Sequence, residues 1–90
     1  MSLHSTPINT GRLRGVVYDF DIVGDALPMH RHREDDVHIT IVARGSVRAH
    51  GPEIGDNIYH AGAVLDWAVD VDHEIVAMSD GARVVNILKN

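Results

Sequence analysis

The chain has 90 residues, which is room for one domain, and 44% hydrophobic with 23% charged residues is ordinary for a small globular core. With no cysteine it has neither a disulfide framework nor thiolate metal sites. A net charge of −5 with scattered arginines excludes a basic nucleic-acid surface, and no apolar run approaches the ~20 residues of a membrane-spanning helix. No charged-then-apolar start resembles a signal peptide, so a cytoplasmic location and no membrane contact are expected.

Residues 1–11 are polar and without period, which reads as a mobile tail or a loose edge strand. Residues 12–90 read as the folded domain. Short β-rich runs follow, separated by turn residues. They are 12–20, 26–32, 38–44, 47–50, 57–60, 64–68, 74–78 and 82–88. Gly24-Asp25, Gly51-Pro52 and Gly55-Asp56-Asn57 mark turns. Gly45-Ser46 and Asp80-Gly81 read as hairpin turns, the latter the strongest short signal in the chain. No ten-residue stretch holds a helical period. About eight short strands at this spacing predict an all-β sandwich or barrel.

The compositional excess is seven histidines. His30 and His32 are two apart, so on a strand their side chains share a face. Two imidazoles on one face suit a divalent metal. His38 opens the next strand. If residues 33–37 fold back as a hairpin, His38 joins the pair. His73 opens a later strand, and a neighbouring position would make it a fourth ligand. Glu34 and Asp36 compete with His38 for the third place. His4, His50 and His60 read as a tail residue, a strand-end surface residue and a turn residue. Asp66 and Glu74, on strands flanking the presumed mouth, are candidate general bases. Ser46 and Ser79 read as turn residues. The chain has no phosphate-binding glycine loop, no GxSxG and no HExxH.

The segment GDALPMHRHREDDVHITIVARG, Gly24 to Gly45, resembles the first motif of the cupins: Gly, five residues, His-x-His, three or four residues, Glu, six residues, Gly. Gly24 stands five residues before His30-Arg31-His32, and Gly45 stands six residues after His38. His38 thus occupies the place of the family's metal-binding Glu, after a loop one residue longer than the common form. The second motif is matched in part. Gly55-Asp56 and Ala61-Gly62 resemble its turns, with His60 at its Pro and Leu65 at its His. The stretch from His73 to Ile87 resembles the end of a cupin, which carries that ligand onto His73 with an insertion of about eight residues.

The resemblance implies a single small jelly-roll β-barrel with a divalent transition metal (Fe, Zn, Ni, Mn or Cu) inside, held by His30, His32, His38 and His73. Neutral imidazoles in place of a carboxylate leave the site more positive, which favours an anionic or chelating ligand. Cupins with such sets include dioxygenases of thiols and diketones. The expectation is therefore a metal-dependent dioxygenase or lyase acting on a small organic acid, diketone or thiol. The alternative is a non-catalytic module binding a small molecule or sugar, its metal structural or absent. A homodimer that buries exposed strand edges is expected.

Overall fold

The computed structural model describes residues 3–30, 38–52, 54–66 and 72–88. All regular structure among them is β: β1 (Leu3–Asn9), β2 (Arg14–Phe20), β3 (Ala26–His30), β4 (His38–Arg44), β5 (Ser46–Gly51), β6 (Gly55–His60), β7 (Val64–Asp66), β8 (His73–Ala77) and β9 (Arg83–Leu88). No helix of the described residues is long and apolar enough to cross a membrane.

Two antiparallel sheets face each other, ordered β1-β2-β9-β4-β7 and β3-β8-β5-β6. Burial alternates along the central strands, as the pleat requires when one face packs and the other is wet. In β8, His73, Ile75 and Ala77 are buried while Glu74 and Val76 are half-buried. In β9, Val84 and Asn86 are buried between less buried neighbours. The inward side chains form one core of Phe20, Val42, Val47, Ala49, Ile75, Ala77, Ala82 and Val84. Each of the larger ones contributes about 1.5–3 kcal/mol by leaving water.

Three expected hairpins are not formed. β3 and β4, β4 and β5, and β8 and β9 are consecutive in the chain, yet each pair is split between the two sheets. The turn residues fall where expected, and Gly45 takes a φ of 73° that a side chain would resist. The turns carry the chain across the barrel instead of back along one sheet. Alternation records which face of a strand is buried, not which strand lies beside it. The true hairpins are β1–β2, seven paired positions from Leu3↔Phe20 to Asn9↔Arg14, and β5–β6. Residues 3–9 are thus an edge strand fully paired with β2.

Candidate functional site

The strand register gives the barrel two distinct ends. At one end the turns after β2, β4 and β8 knot together. The Asp25 carboxylate accepts from the Asp21 and Ile22 amides, both at 3.2 Å. Asp80 accepts from the Val23 amide at 2.9 Å, and the Ser79 hydroxyl accepts from the Ser46 amide at 2.9 Å. Backbone bonds from Phe20 to Ala82, Gly24 to Ala77, and Met78 to Ser46 complete the cap. Ser79 is a turn residue, as read from the sequence, whereas Ser46 is the first residue of β5, paired with His60, because the strand resumes directly after Gly45. Asp25, 1% exposed, lies in this closed end, and its bonds are to the turn.

Toward the other end lie the other buried polar side chains among the described residues: His73, Thr40 and Asn86, at 1%, 0% and 4% exposure. Thr40 and Asn86 are directly opposite on β4 and β9, and the Thr40 hydroxyl donates to Asn86 Oδ1 at 2.6 Å. His73 is on the facing sheet, two residues before Ile75 and on the same inward face of β8. His38 pairs in register with Leu88, two residues before Thr40 on β4.

β3 meets β8 with an irregular register. Leu27 is opposite Ile75, but His30 is opposite His73. Three steps on β3 therefore match two on β8, the signature of a β-bulge. In a regular ladder Met29 would take the place opposite His73. The irregularity sets position 30, in place of position 29, opposite His73 in the ladder.

His32, Glu34 and Asp36 lie outside the described residues, as do the side chains of His30 and His38. Among the described residues, no group of three or more His, Asp and Glu is close enough to hold a metal ion. The described backbone brings positions 30, 38 and 73 to the same end of the barrel, on two facing sheets.

Both candidate bases are outside the barrel. Glu74 alternates with the buried His73 and Ile75, and its carboxylate meets His50 Nε2 at 2.6 Å on the outer face. Asp66 is exposed beside the buried Leu65. On the same outer face Arg48 grips Asp56 with two bonds of 2.7 and 2.8 Å. Those hydrogen bonds hold the Asp56 carboxyl below its ordinary value and raise Arg48. His60 lies exposed at the end of β6, with Nδ1 2.8 Å from the Ser46 hydroxyl. His4 is an exposed partner of Asp21 at 3.2 Å. These three histidines belong to surface contacts, as expected.

The Thr40–Asn86 pair was missed by sequence reasoning. A signal was available: Asn is depleted in strand interiors, and Asn86 falls in the run Arg83–Leu88 at the parity of Val84.

No protein-family model matches the chain, and no curated protein matches it in sequence. Solved structures do match it in shape. KdgF from Halomonas sp. is 20% identical with a TM-score of 0.82, over 96% of this chain and 76% of that one. An RmlC-like cupin protein from Desulfovibrio desulfuricans is also 20% identical with a TM-score of 0.82, over 97% and 81%. A Cupin 2 conserved barrel domain protein from Salinispora arenicola is 16% identical with a TM-score of 0.80, over 98% and 76%. These identities speak to fold alone. The fold of this chain, two facing antiparallel sheets closed into one small jelly roll, is that of the cupin proteins.

Proposed function

We propose that this cupin binds a divalent transition metal through His30, His32, His38 and His73, and presents it to a small oxygen- or sulfur-bearing ligand inside the barrel. The observation that carries the reading is the register of β3 against β8, which sets position 30 opposite the buried His73. The i, i+2 spacing adds His32 to that face if the strand continues. His38 has the parity of Thr40 and Val42, the buried residues of β4. The donor chemistry fits: imidazole suits Zn, Cu, Fe and Ni, and a dry neutral set favours an anionic or chelating ligand. A bound metal would supply Lewis-acid polarisation of such a ligand, the chemistry of a dioxygenase or lyase of organic acids, diketones or thiols.

One observation favours the binding-module reading. Among the described residues the polar end of the barrel has no buried carboxylate to act as a base, since Glu74 and Asp66 face outward. Oxygen uptake and product analysis on the metal-loaded protein with diketones and thiols separate the two. Turnover that is lost in His30→Ala/His32→Ala supports the enzyme. Metal binding without turnover supports the module.

A further inference from the structure

The polar end contains a group with a second capacity. Asn86 is 4% exposed on the inward face of β9. The Thr40 hydroxyl takes its carbonyl side, at 2.6 Å, and so fixes the plane of the amide. The opposite side of the amide, Nδ2, carries two N–H donors. Among the described residues the side chain of Asn86 has Thr40 as its one hydrogen-bond partner. The other buried side chains described on the strands of sheet β1-β2-β9-β4-β7 are apolar: Phe20, Val42, Leu65 and Val84. A purely structural pair here would be replaced at little cost by two apolar side chains.

We propose that Asn86, held in orientation by Thr40, is the donor that recognises a carboxylate or carbonyl oxygen of a small ligand bound in the polar end. This rests on reading that end as the binding site. It adds a specificity residue on the sheet facing His73. The metal would hold one part of the ligand, and the Nδ2 donor would select ligands with an acceptor oxygen at a second position.

The test uses oxalate and acetylacetone as probes. Each is titrated into the chelator-treated and the Zn(II)-loaded protein, read by calorimetry and by the NMR signal of the Asn86 side-chain amide. Asn86→Asp keeps an acceptor for Thr40 and replaces the donor with a repelling oxygen. Thr40→Val/Asn86→Leu removes the pair together and guards against misfolding of the charged variant. The expected result is a shift of the Asn86 amide in the wild type and oxalate binding weaker by about tenfold or more in both variants. Zn(II) affinity of the double variant is expected to stay within about threefold of wild type. Oxalate and acetylacetone affinities unchanged in both folded variants would overturn the proposal, as would failure of the wild type to bind either probe in either state. A wild type that takes no metal yet binds a probe through Asn86 would overturn the metal reading and leave this one standing. Metal uptake with Asn86-independent probe binding would do the reverse.

Discussion

Thr40 and Asn86 face each other across β4 and β9 and share a 2.6 Å hydrogen bond inside an otherwise apolar sheet face. Removing Thr40 takes from the buried Asn86 carbonyl the hydroxyl that donates to it. Thr40→Val alone and Asn86→Leu alone are each expected to cost about 1–3 kcal/mol of stability. The double variant is expected to cost clearly less than the two losses combined, because each single variant already loses the bond they share. Urea denaturation of the four proteins measures this. Strict additivity would show that the bond contributes nothing.

Gly15 of β2 lies where β2 runs beside β9. A Cβ there would collide with the Asn86 carbonyl oxygen, with the Asn86 carbonyl carbon at 3.3 Å and Ile87 Cα at 3.5 Å. All three neighbours are backbone, so no flexible side chain can yield. Gly15→Ala is expected to destabilise by about 1–3 kcal/mol, the range for overpacking a tight site. Thermal melting at unchanged or raised midpoint would contradict the close approach.

The Asp56–Arg48 pair sets a pH dependence of definite sign. Asp56 titrates below its ordinary 3.8 in the folded chain because Arg48 donates to it. A carboxyl depressed on folding adds stability above its unfolded value, and that stability is lost as pH falls through the lower folded value. Wild type and Asp56→Asn are therefore expected to differ by a small constant amount near neutrality and to converge in acid. The effect is small because both groups are open to solvent. A difference that grows as pH falls would contradict it.

Four strands stand at sheet edges: β1, β7, β3 and β6. Exposed edges invite pairing, and Ile58 on β6 is 53% exposed and Val64 on β7 61% exposed. A homodimer is the expected state. Light scattering on the eluting protein should return about twice the 9.9 kDa chain mass. A monomeric mass at all concentrations would contradict it.

The strands and turns of this barrel were legible because local chemistry writes them. His38–Arg44 alternates, Gly45 stops β4 with a positive φ, and Gly81 takes a positive φ in the turn between β8 and β9. The inward place of His73 was legible too, since Ile75 and Ala77 share its parity. Strand partners were not. β4 leaves Gly45 for the other sheet, and nothing local to Gly45-Ser46 distinguishes that from a hairpin. The bulge between Leu27 and His30 was also hidden, because a register shift depends on the strand alongside. Glu74 looked like a mouth residue until its alternation with His73 and its bond to His50 placed it outside.

The metal centre proposed for the polar end of the barrel is built from His30, His32, His38 and His73. The most direct measurement is the metal content of untagged, dialysed wild type beside His73→Ala and His30→Ala/His32→Ala, by elemental analysis, with folding checked by circular dichroism. Close to one first-row metal per wild-type chain is expected, with loss of at least about tenfold in affinity for each folded variant. A folded wild type without metal after incubation with Fe(II), Ni(II) and Zn(II), or variants that retain full occupancy, would contradict it.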